Sequence, residues 1–263
     1  GYYMQDDYGN VTLVNVSGIY DEQPLFIDKL KKGGAGVIDA VSMTGTNGYC
    51  DDMAKENFRE MMKEYPTKGI HFIDGGNYHY LTLLWLSLIE EPFDLIVFDN
   101  HSDMQKPAFG DVLSCGGWIR NLVEDSGFKG KVTVVGVDKD NIDKEMKELG
   151  VKFITKQTIL KKRGQQYGLE NELIDKCWTG KRPVYISVDK DVLDEKEYKT
   201  NWNQGIMSVD ELFAIIEDTF EMRKVIGMDI CGEMDEAVNS EFGSIYNEIN
   251  QAVNMRFLKF RIS

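Results

Sequence analysis

Aspartate and histidine side chains recur at close spacing in two short segments of the sequence. Asp99, His101 and Asp103 occupy alternate positions, and Asp189 and Asp191 repeat that spacing further along the chain. Alternate residues of an extended chain point to one side, so each segment can aim its side chains at one point. Carboxylates gathered in a cleft of low dielectric repel one another strongly, and they take up either protons or a cation. A cation is the simpler solution.

The donor types in these segments indicate which cation would fit. The four aspartates contribute four negative charges, which two divalent ions would balance. Two of the three histidines in the chain, His79 and His101, lie beside the polar segments. Oxygen and imidazole donors suit Mn²⁺ better than a metal that prefers thiolates. We therefore expect a centre of two divalent ions, with Mn²⁺ preferred.

Each segment taken alone also has an ordinary structural interpretation. Aspartate-rich loops are usually solvated turns. Gly75 and Gly76 could form a tight turn from strand to helix, with Asn77 as the N-cap. His71, at the start of a predicted strand, is expected to be structural. The metal hypothesis depends on the segments occurring together, each behind a β-like run.

Short β-branched runs alternate with longer segments of helical periodicity, which is typical of an α/β protein with a mostly parallel sheet. Strands are predicted near residues 11–16, 36–38, 70–73, 95–98, 131–135, 152–154, 184–188 and 225–228. Helices are predicted over residues 53–65, 78–90, 141–149, 209–220 and 245–257. No linker, repeat or low-complexity segment divides the chain, so residues 1–263 are expected to form a single domain.

Four of the predicted strands lead directly into polar segments. These segments are residues 74–79, 99–103, 189–191 and 229–233. In an open parallel sheet, ligands bind outside the carboxyl ends of the strands. We therefore expect the four segments to meet at one crevice.

Composition excludes several classes of partner. Lys and Arg number 30 against 44 Asp and Glu, a net charge of −14, which argues against nucleic acid and anionic membranes. The longest apolar stretch, residues 81–89, is well short of the ~20 residues that span a bilayer. The N-terminal residues show no secretory signal. The cysteines are too few and too scattered for a disulfide framework, which favours reduced thiols and a cytoplasmic location; they are Cys50, Cys115, Cys177 and Cys231.

The ordered set of motifs resembles the ureohydrolase superfamily, which includes arginase, agmatinase and formiminoglutamase. Residues 75–79 are similar to the family's G-G-D-H segment, residues 99–103 to its D-A-H-x-D and residues 187–194 to its S-x-D-x-D-x-x-D. The match covers most of the chain after about residue 70. It implies a three-layer α/β/α sandwich with an eight-stranded, mostly parallel sheet, assembled as a homo-oligomer, a trimer or hexamer.

The resemblance also implies two metal sites that share two bridging aspartates. The bridging ligands are Asp99 and Asp189. The remaining ligands, two for each ion, are His79 with Asp103 and His101 with Asp191. Asp103 has a catalytic role as well, since it would accept a hydrogen bond from the attacking hydroxide.

The chain departs from the family pattern at four places. Tyr78 stands where the family has its histidine, so His79 can bind a metal only through a local shift of one residue. Cys115 stands where the family often has a proton-shuttling histidine. Residues 195–202 replace the proline-bearing substrate loop, so the amino-acid specificity of arginase is not implied. Glu233, one residue out of register, is the candidate for holding a cationic substrate.

The sequence therefore predicts a hydrolase that cleaves a C–N bond of a small guanidino, amidino or related compound with a metal-activated hydroxide. One alternative is an amide deacetylase on the same architecture, although such enzymes normally use one zinc and paired histidines. The other is a scaffold with an altered site that binds a ligand or regulates a partner. A small-molecule substrate is expected in the first two cases.

Overall fold

The computed structural model describes residues 6–163, 179–241 and 243–262. The N-terminal residues 1–5 and Cys177 lie outside the described residues. The strands are β1 (Val11–Asn15), β2 (Gly36–Asp39), β3 (Tyr49–Cys50), β4 (Ile70–Phe72), β5 (Asp94–Phe98), β6 (Leu113–Ser114), β7 (Val132–Val135), β8 (Val151–Ile154), β9 (Val184–Asp189) and β10 (Val225–Cys231). Eight of them form one parallel sheet in the order β2-β1-β4-β10-β9-β5-β7-β8, and β3 pairs with β6 in a small antiparallel sheet.

Helices cover both faces of the large sheet. They are α1 (Pro24–Lys32), α2 (Asp52–Met62), α3 (Leu81–Leu86), α4 (Trp118–Glu124), α5 (Lys144–Glu148), α6 (Lys156–Lys162), α7 (Val209–Met222) and α8 (Gly243–Arg256). Successive strand residues point to opposite faces, and Leu13 and Val14 accordingly belong to different apolar cores. Side chains of α1, α7 and α8 pack in one core and those of α2, α3 and α4 in the other. This arrangement confirms the predicted three-layer α/β/α sandwich.

Several predicted boundaries differ from the observed ones. The helix predicted over 78–90 is a 3-10 turn at Gly76–Tyr78 followed by the short α3, and the one predicted over 141–149 is only α5. The helix predicted over 209–220 is α7, and a capping box of Ser208 and Glu211 begins it. The largest difference that bears on the site is in β10, which continues past Met228 to Cys231.

In the part of the chain that the structure describes, no helix has both the length and the apolar character needed to cross a membrane.

Candidate metal centre

Neighbouring strands in the middle of the sheet carry the acidic segments to one edge. β5 ends at Phe98, directly before Asp99, and β9 ends at Asp189. β9 lies between β5 and β10 and pairs with both in parallel. Parallel strands end at the same edge of a sheet, so these strands deliver their terminal polar residues to one crevice.

His79 lies at the centre of the first group of donor atoms. Its Nδ1 is 3.2 Å from Asp99 Oδ2, 3.0 Å from Asp103 Oδ2 and 3.5 Å from Asp189 Oδ2. The imidazole and all three carboxylates are buried. The structure thus brings together the four residues that the resemblance implies for one ion.

His101 defines the second group. Its Nδ1 is 2.8 Å from Asp191 Oδ2 and 3.6 Å from Asp99 Oδ1. Asp99 therefore directs one carboxylate oxygen at each histidine. That is the arrangement required of a carboxylate that bridges two ions.

The carboxylates are oriented by the backbone around them. Asp99 Oδ1 accepts from the amide of His101 at 2.7 Å, and Asp189 Oδ1 accepts from the amide of Asp191 at 3.0 Å. Asp191 Oδ1 accepts from the amide of Asn100 at 3.0 Å. Because each of these carboxylates has one oxygen fixed by an amide, the other is held towards the crevice.

The donor set fits a cation. Among the described residues, His79 Nδ1 and Asp99 Oδ2 are buried and, although they lie 3.2 Å apart, neither makes a hydrogen bond of normal geometry. Buried polar atoms are almost always partnered in native proteins, so such atoms mark a place where an ion or ligand binds. Carboxylate oxygen and imidazole nitrogen are donors that divalent ions such as Mn²⁺ accept.

The charges of the cluster also favour a bound cation. Burial, reinforced by the neighbouring aspartates, raises the pKa of Asp99 well above its usual range. Burial disfavours the charged form of His101, but Asp191 and Asp99 outweigh it and raise its pKa to about 12. The cluster therefore holds protons when no metal compensates its charge, as expected for carboxylates packed against one another.

A local turn places His79 in spite of the unusual spacing. The 3-10 turn Gly76–Tyr78 directs Tyr78 into the apolar core, where its ring lies 6.5 Å from that of Tyr80. The next residue, His79, then faces the carboxylates. Close packing requires glycine at position 76, since a Cβ there would lie 2.9 Å from the Trp202 ring. The turn thus provides the one-residue shift that the sequence required.

A chain of hydrogen bonds behind the centre fixes the orientation of His79. Its Nε2 is 2.8 Å from Ser187 Oγ, and Ser187 donates to Asp229 Oδ1 at 2.6 Å. Because the Ser187 proton goes to Asp229, Ser187 Oγ accepts from His79 Nε2–H. In the neutral imidazole the Nδ1 atom is then the unprotonated one, as a metal ligand requires.

The chain continues away from the centre. Tyr185 Oη is 2.8 Å from Asp229 Oδ2 and 3.0 Å from His71 Nδ1. His71 also bonds the Pro66 carbonyl and stacks on Trp85, and burial lowers its pKa to about 4. The structure therefore places His71 in a supporting position rather than among the donor atoms.

We expect Ser187→Ala to weaken divalent-ion binding by about 10- to 100-fold, the range found when a partner of a metal-binding histidine is removed. The mutation leaves His79 Nε2 without its acceptor and frees the imidazole to rotate. Titration with a competing chelator measures the change. Ser87→Ala, whose hydroxyl bonds only the Leu84 carbonyl, is the control. Equal affinity in both variants would contradict the orienting role.

The prediction that Glu233 holds a cationic substrate is wrong for this structure. Glu233 is completely buried and forms an ion pair with Lys190, which is also completely buried. Its carboxylate also accepts from Gln23, Tyr198 and Asn254. With its oxygens taken up by these donors and no exposed surface, Glu233 cannot contact a substrate.

A cavity of about 500 Å³ opens in front of the candidate metal centre. His101, Asp103, Asp189 and Asp191 contribute to its wall. Cys115 also lines the cavity. Burial, with Asp103 adding to it, raises the pKa of the Cys115 thiol to about 12, so the thiol is protonated at neutral pH.

The protein is a parallel α/β/α sandwich of the ureohydrolase type. Carboxylate and imidazole donors lie at the carboxyl ends of its central strands. The model of the arginase family matches residues 30–234. The chain belongs to the arginase family. An uncharacterized protein of Thermotoga maritima is 30% identical over 227 residues, which are 86% of this chain and 80% of that protein.

Solved structures agree on the fold. Formimidoylglutamase from Bacillus subtilis has a TM-score of 0.67 at 15% identity, covering 99% of this chain and 91% of its own. The formiminoglutamase of Trypanosoma cruzi with Mn²⁺ has a TM-score of 0.65 at 13% identity, covering 98% and 95%. At these identities the likeness concerns the fold alone.

Proposed function

We propose that the protein is a hydrolase with a binuclear metal centre that cleaves a C–N bond of a small guanidino, amidino or related compound. The observation that carries this proposal is the convergence of two histidines and four aspartates, with Asp99 between the two imidazoles. Membership of the arginase family supports the reaction class. The six proposed ligands are His79, Asp99, His101, Asp103, Asp189 and Asp191.

When bound, two divalent ions would supply hydroxide at neutral pH by lowering the pKa of water. Mn²⁺ is the ion that the oxygen and imidazole donors favour, and a structural neighbour was solved with it. The protein's part is to hold its side chains in place. Trp118 Nε1 donates to Asp103 Oδ2 at 2.8 Å and so fixes the carboxylate that we propose to accept a hydrogen bond from the nucleophile.

The cavity wall indicates the charge of the substrate. Its carboxylates and the His101 imidazole belong to the proposed metal centre, and its remaining polar groups are neutral, among them Ser102, Gln105, Ser114 and Asn141. No lysine or arginine is among the described residues that line it. A substrate whose tail is cationic or neutral therefore fits better than one that carries several carboxylates.

Trp202 forms one side of the cavity mouth. Its indole is 40% exposed, and its ring lies 5.6 Å from that of His101 in an edge-to-face arrangement. The loop that carries it is fixed to the centre, since Asn100 Nδ2 donates to the Asn203 carbonyl at 3.0 Å. An indole face in this position can contact a cationic substrate.

We expect Trp202→Ala to raise KM for a cationic substrate about tenfold, since a cation–π contact contributes about 0.5–2 kcal/mol. kcat should change much less, because the indole is proposed to contact the substrate and is not one of the six proposed ligands. Steady-state kinetics measure both constants. Trp202→Phe, which keeps an aromatic face, should retain most of the affinity. A fall in kcat with unchanged KM would contradict this role.

The test of the proposed function combines metal content with turnover. The protein, reloaded with Mn²⁺, is offered agmatine, arginine, formiminoglutamate and acetylated amines, and release of urea, ammonia, formamide or acetate is measured. Turnover of a guanidino or imino compound supports the proposal. Turnover of the acetylated amines alone would favour the deacetylase alternative. Thermal stabilisation by a ligand without turnover would favour a binding or regulatory scaffold.

A further inference from the structure

A thiol from the predicted polar segment 229–233 lies beside the candidate metal centre, although no role was predicted for it. Cys231 Sγ, a ligand atom of His79 and a carboxylate oxygen of Asp189 all lie within 4.8 Å of one another. All three residues are buried. The thiol is therefore close to two donors, His79 and Asp189, of the subsite formed by His79, Asp99, Asp103 and Asp189, which we call the His79 subsite.

The sheet positions this thiol. Cys231 is the last residue of β10, and its register partner on β9 is Asp189. Register partners on adjacent parallel strands point their side chains to the same face. At the following residue, Gly232, the backbone adopts a φ of +101°, and a Cβ there would meet Asp189 Oδ1 at 2.7 Å. β10 thus places Cys231 beside the candidate metal centre, and the backbone changes direction at Gly232.

A second observation points to a ligand at the same place. His79 Nδ1 and Asp99 Oδ2, both buried, make no hydrogen bond of normal geometry among the described residues and are aimed into the His79 subsite. An ion that satisfies these atoms would lie among donors that include a sulfur. The thiol adds a donor type that the four oxygen and nitrogen ligands lack.

Packing alone is the competing explanation, because a free buried cysteine commonly behaves as a small apolar side chain. Cys50 illustrates that case: it is buried in the same apolar core, and no imidazole is grouped with it among the described residues. Cys231 differs because it is grouped with an imidazole and a carboxylate. An apolar residue of similar size would fill the space without offering a donor.

We propose that Cys231 supplies a thiolate ligand to the ion in the His79 subsite, and that this subsite therefore selects a softer divalent ion such as Zn²⁺ over Mn²⁺. The inference rests on the proposed metal centre. The thiol proton leaves to solvent as the ion binds, because a coordinating thiol is deprotonated, and no oxidant or reductant takes part. The His101 subsite keeps oxygen and nitrogen donors and its preference for Mn²⁺.

Cobalt absorption tests the ligand directly, without any assay of activity. The metal-free full chain is titrated with Co²⁺, and two signals are followed. Ligand-field bands in the visible range report Co²⁺ in the centre whatever its donors. Sulfur-to-cobalt charge-transfer absorption in the near ultraviolet reports a thiolate ligand. We expect both signals in the wild type, and loss of the second alone in Cys231→Ser and Cys231→Ala.

The other cysteines provide the controls. Cys115→Ser and Cys177→Ser should keep the charge-transfer absorption, and its loss in either variant would assign the thiolate elsewhere and overturn the inference. Ligand-field bands without charge transfer in the wild type would also overturn it while leaving the metal centre intact. No cobalt binding at all would refute the proposed centre itself. The absence of charge transfer in the wild type would overturn the inference even where a variant fails to fold.

A competition experiment tests the selectivity. The wild type is equilibrated with equal concentrations of Mn²⁺ and Zn²⁺, and the bound ions are counted by elemental analysis. We expect a higher ratio of bound Zn²⁺ to bound Mn²⁺ in the wild type than in Cys231→Ser. Equal ion ratios in the two proteins would contradict selection by the thiol.

Discussion

Asp99→Asn is expected to reduce kcat/KM by about three orders of magnitude and to leave the protein unable to retain two ions. The two oxygens of Asp99 face different histidines, and an amide replaces one of them with a donor group that repels a cation. Lewis-acid stabilisation contributes several kcal/mol to a reaction, and each tenfold loss in rate corresponds to about 1.4 kcal/mol. Elemental analysis and steady-state kinetics on the same preparation measure both effects.

The control for this variant is Asp28→Asn, which makes the same chemical change at an exposed position on α1. It should keep its metal and its activity. Circular dichroism shows whether Asp99→Asn is folded. If folded Asp99→Asn retained two ions, the bridging assignment would be refuted.

Breaking the buried pair between Lys190 and Glu233 should cost about 3–5 kcal/mol of the free energy of unfolding. In Glu233→Gln the Lys190 ammonium keeps a hydrogen bond to Asn254 Oδ1 at 2.7 Å and its contact with the Tyr198 ring, but it loses its counter-charge. An uncompensated buried charge is what makes such a change costly. Urea unfolding of Glu233→Gln, Lys190→Met and the double variant measures it.

The stability of the double variant separates the cost of an uncompensated charge from the other effects of the single mutations. Once both charges are gone, no charge is left uncompensated, so it should lose less stability than the two single variants together. Asp28→Asn again serves as the control, because its pair with Lys32 is exposed and should contribute little. A substrate-binding role for Glu233 would give the opposite pattern, with unchanged stability and a raised KM.

The sequence predicted the positions of the six candidate ligands well, because their placement follows from strand ends. Asp99 directly follows β5 and Asp189 ends β9, and a β-branched run is visible before each. The parallel order of the strands then brings them together. Even the displaced His79 was predicted for the site, although the turn that places it could be seen only in three dimensions.

The errors concentrate on β10. The sequence pattern predicts that this strand ends at Met228, because Asp229 is unfavourable in a strand. The structure continues it to Cys231, since Asp229 receives hydrogen bonds from Ser187 and Tyr185 of the adjacent strand. Those bonds are tertiary and leave no local pattern. The three-residue error left Cys231 in the polar segment after the strand, so its register opposite Asp189 could not be predicted.

The position of β10 in the sheet also determines when the site can exist. β5 is the next strand of this sheet after β4 in the order of the chain. In the sheet itself, however, β10 and β9 lie between β4 and β5. A ribosome therefore completes His79, Asp99 and His101 long before the strands that hold them at their final separation. Until β9 and β10 insert, the nascent chain has four of the six proposed ligands and an unfilled gap in its sheet. Metal loading should consequently be a late, post-translational event that follows insertion of the last strand.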